Sequence, residues 1–170
     1  MSAAARAPDG ADRRLSRSPA DTEALGQALA PALETGDVIV LTGPLGAGKT
    51  CFVAGLARGL GCGARVRSPS FTLVNEYRGR LLLLHLDLYR VNAADAETLG
   101  LEEQAEHGVL VAEWGEKLPA GLRERALAVE FEVASERERR LTARTGPAPG
   151  EARACALLGA WRAWAPVSGA

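Results

Sequence analysis

The chain has 170 residues, of which 47% are hydrophobic and 24% are charged, and its formal net charge is −1. This length suits one domain with a real core, and the charge balance excludes an overall basic field that would draw the protein onto nucleic acid. No apolar run reaches the roughly 18 residues that span a bilayer, and the three cysteines have no metal-binding spacing. We therefore expect a cytoplasmic protein that does not contact the membrane.

Residues 1–18 contain almost no large apolar side chain, which predicts a disordered tail. We expect a single domain over 19–165 and a flexible C-terminus over 166–170. Asp21 is the predicted N-cap of a first helix. The apolar stripe of that helix repeats every four residues and consists of Leu25, Leu29 and Leu33.

Continuous apolar runs at 38–41, 81–87 and 109–113 are typical of strands buried on both faces of a parallel sheet. Between the first two runs, the pattern predicts a helix over about 49–60 and a strand over 71–77 that forms a hairpin with the run at 81–87. The remaining predicted elements are a helix over 94–106, a hairpin of 127–133 with 141–145 at the sheet edge, and a helix over 150–164 with Cys155, Leu158, Trp161 and Trp164 on one side. This order predicts an α/β sandwich with a mixed, mostly parallel sheet, antiparallel edge strands and flanking helices.

Residues 43–50, Gly-Pro-Leu-Gly-Ala-Gly-Lys-Thr, fit the pattern G-x-x-x-x-G-K-T without a gap. In such a P-loop, backbone N–H groups surround phosphate oxygens, the lysine reaches the β- and γ-phosphates, and the threonine hydroxyl ligates Mg²⁺. A buried strand before the loop and a helix after it complete the context of a P-loop NTPase-like fold. The residues predicted to contact the nucleotide here are Gly43, Leu45, Gly46, Ala47, Gly48, Lys49, Thr50 and Cys51.

The chain lacks the signatures of a GTPase, because it has no N-K-x-D tetrapeptide and Asp87 is followed by Leu88-Tyr89-Arg90 rather than by a D-x-x-G switch. ATP is therefore the predicted nucleotide. Asp87 and Glu113 each end a buried apolar run, so both should emerge at the carboxyl edge of the sheet, where ligands bind. We predict that these two acids hold Mg²⁺ or orient the attacking water. Which of them contacts the metal directly is left open.

Four further side chains have two interpretations each. Ser70 and Thr72 lie where switch-like loops occur and would sense the γ-phosphate or Mg²⁺, or they belong to an ordinary turn. His85 lies two residues before a predicted site acid and is either a core histidine, the favoured interpretation, or a hydrogen-bond partner in the site. Trp114 directly follows the other acid and either covers the nucleotide or fills the core.

Taken in order, residues 43–50, Ser-Pro-Ser-Phe at 68–71, His-Leu-Asp-Leu-Tyr-Arg at 85–90 and Glu-Trp at 113–114 resemble the TsaE family. This resemblance covers about residues 21–117. It implies the ATPase of the bacterial system that makes N6-threonylcarbamoyladenosine at position 37 of tRNA. It also implies that the protein acts on a TsaB–TsaD complex, meets tRNA only through that complex, and does not itself transfer the threonylcarbamoyl group.

By the same resemblance, Lys49 and Thr50 keep their phosphate and Mg²⁺ roles, 68–71 is the switch-like loop, Asp87 is the Walker B-like acid and Glu113 is the acid before the tryptophan. The chain departs from the family pattern at Pro44, Ser70 and Cys51, where an acid, a threonine and a second threonine are common. Two alternative functions remain at this stage. They are a small-metabolite kinase, and a regulatory module that binds ATP without hydrolysing it.

Overall fold

The structure is a computed structural model that describes residues 10–146 and 152–164. Residues 1–9 of the predicted tail and the predicted flexible C-terminus at 166–170 lie outside these ranges. The strands described are β1 (Asp12–Ser16), β2 (Val38–Thr42), β3 (Val74–Arg78), β4 (Leu82–Asp87), β5 (Val109–Glu113), β6 (Leu127–Val133) and β7 (Arg139–Thr145). The α-helices described are α1 (Pro19–Leu29), α2 (Lys49–Gly59), α3 (Ala93–Ala96), α4 (Leu101–Ala105), α5 (Ala120–Glu124) and α6 (Ala152–Ala163).

The strands form one mixed sheet in the order β1-β7-β6-β2-β5-β4-β3. The four inner strands β6, β2, β5 and β4 are parallel, and the outer pairings are antiparallel. Alternate residues of β2 enter different core clusters. Ile39 and Leu41 pack with α1, α2 and α6, whereas Val38 and Val40 pack with α4 and α5. The predicted mixed α/β architecture is confirmed, and the carboxyl ends of β2, β4 and β5 meet at one edge.

The predicted disordered tail is wrong over Asp12–Ser16, which form β1 and pair antiparallel with β7. The strand carries one large apolar side chain, Leu15, and that side chain is exposed, so hydrophobic patterning gave no signal for it. As a result, β6 and β7 form the predicted hairpin, but neither strand lies at the edge of the sheet. One of its strands pairs with β2 and the other with β1.

The first helix begins earlier than predicted. Ser18 is its N-cap and accepts a hydrogen bond from the Asp21 N–H at 3.1 Å, while Pro19 occupies the first turn. Proline has no N–H to leave unpaired at that position, which explains the earlier start. Asp21 therefore lies inside the first turn and is not the cap. Leu33 is buried as predicted, although it follows a short 3₁₀ turn over Ala30–Ala32.

Two further helix predictions need correction. The helix predicted over 94–106 is two short helices, α3 and α4, because Gly100 adopts the left-handed conformation at φ +63° between them. In α6, Leu158 and Trp161 are buried as expected, but Cys155 is exposed. None of the helices in the described ranges has the length and apolar content needed to cross a bilayer.

Candidate functional site

The loop 43–50 joins β2 to α2 at the carboxyl edge of the sheet, so the strand and helix predicted on either side of it are confirmed. Gly43, Gly46 and Gly48 have φ values of +135°, +76° and +102°, a region that side-chain-bearing residues rarely adopt. The loop borders a cavity of about 410 Å³, which also touches the ends of β4 and β5. Its lining residues are Leu45, Gly46, Ala47, Gly48, Lys49, Thr50, Ser68, Ser70, Asp87, Tyr89, Glu113 and Trp114.

Lys49 is 4% exposed, and its ammonium group lies on the inner side of the loop. Nζ donates hydrogen bonds to the carbonyl oxygens of Gly43 (2.5 Å) and Pro44 (3.3 Å) and lies 4.2 Å from the centroid of the Trp114 ring. Burial lowers the pKa of Lys49, while the nearby carboxylate of Glu113 acts in the opposite direction. The cation is therefore held by neutral groups, namely two carbonyls and one aromatic face.

Glu113 is the acid that contacts the predicted Mg²⁺ ligand. The Thr50 hydroxyl donates to Glu113 Oε1 at 2.6 Å, and His85 Nε2 lies 2.8 Å from the same oxygen. Glu113 is 5% exposed, so little water competes for this carboxylate. Two residues predicted to bind Mg²⁺ are thus in direct contact across the gap between α2 and β5.

Asp87 makes a different set of contacts. The hydroxyls of Ser68 and Ser70 both donate to its Oδ2 at 3.1 Å, and the Tyr89 N–H donates to Oδ1 at 2.9 Å. Asp87 is paired in register with Glu113 on the neighbouring strand. This acid therefore ties the loop before β3 to the segment after β4, on the same side of the sheet as the Thr50–Glu113 pair.

Trp114 has φ +56°, an unusual value for a bulky side chain. Its ring lies 5.1 Å from that of Tyr89 and covers the Lys49 ammonium. Trp114 was predicted to cover the nucleotide or to fill the core. Its partly exposed side chain lines the cavity and also packs against the core cluster that contains α4 and α5.

Three of the residues discussed from sequence lie elsewhere. Gly43 does not line the cavity but supplies a carbonyl to Lys49. The Cys51 thiol points away from it and donates to the Pro19 carbonyl at 3.1 Å, and burial raises its pKa. The Thr72 hydroxyl donates to Asn75 Oδ1, so it does not reach the cavity.

Sequence reasoning missed a second cavity of about 470 Å³ on the other side of the loop. Its walls come from the start of α1, from the 43–50 loop and from the turn between β6 and β7, so they include residues that were assigned to the tail and to a distant hairpin. The cavity is lined by Arg17, Ser18, Pro19, Thr22, Gly46, Ala47, Gly48, Cys51, Glu136, Arg137 and Arg139.

The side chains at this site suit a metal ion that also takes oxygen ligands from a bound molecule. Within 10–146 and 152–164, no group of three or more His, Cys, Asp or Glu side chains is placed to hold a metal ion by itself. Mg²⁺ commonly uses one or two protein ligands together with phosphate oxygens and water. The adjacent hydroxyl of Thr50 and carboxylate of Glu113 fit that mode of binding.

Comparison with known proteins gives a consistent result. The family model described as threonylcarbamoyl adenosine biosynthesis protein TsaE matches residues 16–141. The chain is 43% identical over 132 residues to the TsaE protein of Treponema pallidum, covering 76% of this chain and 98% of that protein. It is 39% identical over 127 residues to the TsaE protein of Bacillus subtilis, covering 74% and 80%. The crystal structure of B. subtilis YdiB aligns with a TM-score of 0.67 at 34% identity, over 88% of this chain and 94% of that one.

Proposed function

The chain belongs to the TsaE family of threonylcarbamoyl adenosine biosynthesis proteins, and from this premise we propose that it binds and hydrolyses ATP with Mg²⁺. The observation that carries the proposal is the contact between Thr50 and Glu113 beside the glycine-rich loop. A hydroxyl at the start of the loop helix and a carboxylate at the end of a neighbouring strand are the two protein groups that such sites use for the metal.

The loop and Lys49 would bind the phosphates. The N-terminus of α2 carries a partial positive charge that attracts the phosphates together with the Lys49 ammonium. Because the loop glycines have no side chains, an anion can approach the backbone N–H groups closely. Because the ammonium donates its hydrogen bonds to two carbonyls, the acceptors that a polyphosphate must displace are neutral. A charged phosphate is the stronger partner.

The second cavity is the proposed place for the base and sugar. It adjoins Gly46–Gly48 on the side opposite the carboxylates, so a nucleotide can run from one cavity to the other along the loop. Cys51, predicted from sequence to contact the nucleotide, would do so here and not at the phosphates.

When bound, Mg²⁺ would neutralise charge on the β- and γ-phosphates. We assign Thr50 and Glu113 to hold it, and we assign Asp87 to keep Ser68 and Ser70 at the cavity wall, beside the place of the terminal phosphate. Trp114 shields the Lys49 side of the cavity from solvent. In this proposal Glu113 binds the metal and Asp87 holds the loop, whereas the sequence had given both acids the same role.

We also propose that this site is completed by a TsaB–TsaD complex in the cytoplasm, with tRNA reached only through that complex. Arginine is missing from the residues that line the phosphate-side cavity in the described part of the chain. An arginine at the transferred phosphate contributes about 10³-fold or more in related reactions. A partner would supply such a cation or would order the loop that Asp87 holds.

The test is steady-state ATP hydrolysis by the isolated chain, with and without TsaB–TsaD. The buffer contains no metabolite whose hydroxyl group could accept the phosphoryl group. We expect slow turnover alone and a clear rise with the partners, which also separates an ATPase from a small-metabolite kinase. Asp87→Ala and Glu113→Ala should lose the rise and keep some nucleotide binding. Glu106→Ala, an exposed acid before the amino end of β5, is the matched control. Turnover of several per second without partners, unchanged by them, would refute the partner-completed site.

A further inference from the structure

We propose that His85 is a positioning residue for Glu113, an inference that rests on the proposed Mg²⁺-dependent nucleotide site. His85 is fully buried, and its Nε2 lies 2.8 Å from Glu113 Oε1. Its other ring nitrogen, Nδ1, is buried and has no hydrogen-bond partner among the residues that the structure describes. The one polar contact of this side chain is therefore with an acid of the candidate site.

The unpartnered Nδ1 determines the tautomer. A proton on Nδ1 would leave a buried N–H unpaired and would turn the Nε2 lone pair towards a carboxylate oxygen. A proton on Nε2 gives that oxygen a donor and leaves one acceptor, the Nδ1 lone pair, unpaired. The geometry therefore points to a Nε2–H group that donates to Glu113.

The backbone holds the imidazole in this position. His85 on β4 pairs in register with Val111 on β5, two residues before Glu113, so both side chains project from the same face of the sheet. The Tyr77 ring lies beside the imidazole at a centroid distance of 6.5 Å, and the Tyr77 hydroxyl is bonded to the backbone of Arg67. The donor is thus preorganised before any ligand arrives.

Glu113 needs a donor that does not itself take part in metal binding. In this structure Oε1 accepts from Thr50 and lies within hydrogen-bond distance of His85 Nε2. Thr50 is assigned to the metal, so of these two donors His85 is the one that holds the carboxylate independently of the ligand. Partners of this kind orient metal-site ligands, and their loss typically costs 10- to 100-fold in metal affinity.

A role in stability and a role in the site predict different results for His85→Leu. The substitution removes an orphaned nitrogen, but it also takes a donor from the buried carboxylate of Glu113, so some loss of stability is expected in either case. The two roles are separated by whether the loss of ATP affinity depends on Mg²⁺.

The test is ATP affinity of the full chain by calorimetry, with Mg²⁺ and with EDTA. We expect His85→Leu to lose about 10-fold or more of the affinity measured with Mg²⁺ and to match the parent in EDTA. His85→Gln, whose amide nitrogen reaches the position of Nε2, should recover most of the loss. In a Glu113→Gln background, His85→Leu should have no further effect.

The outcomes separate this inference from the proposed function. A parent protein that fails to bind ATP in either buffer overturns the proposed function and this role with it. A parent that binds ATP with Mg²⁺, while His85→Leu binds equally well or loses the same factor in EDTA, overturns the role of His85 alone.

A second measurement does not depend on how the His85 variants fold. The chain has two histidines, His85 and His107, so ¹⁵N NMR of the imidazoles of the nucleotide-free parent can be assigned with one substitution, His107→Gln. We expect a proton on Nε2 of His85. A Nε2 without a proton would overturn the inference.

Discussion

Replacing Gly43 with alanine would test why the loop at 43–50 begins with glycine, and Gly46→Ala is the matched control. A Cβ atom on Gly43 would lie 2.5 Å from the Phe131 carbonyl oxygen and 2.9 Å from the Phe131 Cβ, and the residue has φ +135°. Gly46 has φ +76°, and a Cβ there would meet nothing within 4 Å. Both variants place alanine at an unfavourable positive φ, and only the first adds a steric clash.

The magnitudes follow from these contacts. Gly46→Ala should cost the left-handed backbone penalty, about 1–2 kcal/mol. Gly43→Ala should cost about 1–3 kcal/mol for a backbone region that is nearly restricted to glycine, plus about 1–3 kcal/mol for overpacking. Phe131 lies in β6 near the centre of the sheet and is 1% exposed, so it has little freedom to move away. The total for Gly43→Ala is about 2–6 kcal/mol.

Equilibrium urea unfolding without nucleotide measures both free energies under the same conditions. The two variants should have the same m-value as the parent, so that the shift in midpoint reports stability alone. If Gly43→Ala loses no more stability than Gly46→Ala, the contact with Phe131 does not explain the glycine, and the reasoning is wrong.

Three further predictions concern individual side chains. Lys49→Ala should abolish ATP binding in calorimetry, and Lys49→Arg should also fail, because a planar guanidinium does not replace a compact ammonium; tight binding by the arginine variant would contradict the assigned role. Intrinsic fluorescence should change when ATP and Mg²⁺ are added, and Trp114→Phe should remove most of that change; a signal that persists in the variant would contradict the placement of Trp114 beside the nucleotide. Since burial raises the pKa of the Cys51 thiol, less reactive thiolate is present near neutral pH, so it should alkylate more slowly than the exposed Cys155; equal rates would refute this.

The central part of the fold could be predicted from sequence because its strands are buried on both faces. Continuous apolar runs mark β2, β4 and β5, and the acids that end two of them lie at the predicted edge. The glycine pattern of 43–50 located the loop for a related reason, since the positive φ values restrict those positions to glycine. Where burial or backbone geometry dictates residue type, the pattern is visible.

The features that sequence missed depend on partners far along the chain. Strand β1 is held by backbone pairing and has no apolar repeat, so composition suggested disorder. For His85, the sequence offered a core histidine, which was favoured, or a hydrogen-bond partner in the site; the side chain is fully buried and also contacts Glu113, and this contact depends on where Glu113 lies in the next strand. Cys51 follows two site residues, but the helical rotation of about 100° per residue carries its side chain to the other cavity.

The place of β1 in the sheet has a consequence for synthesis. Asp12 pairs with Ala143, so the ribosome must add about 130 further residues after β1 before the partner of this strand has been synthesised. At translation rates of about 5–20 residues per second, that delay is about 6–26 seconds. During this interval Arg17 and Ser18, which line the second cavity beside the loop, have no sheet to anchor them. The nascent chain would therefore contain every residue that lines the phosphate-side cavity, the last of which is Trp114, before it contains Glu136, Arg137 and Arg139 of the cavity proposed for the base.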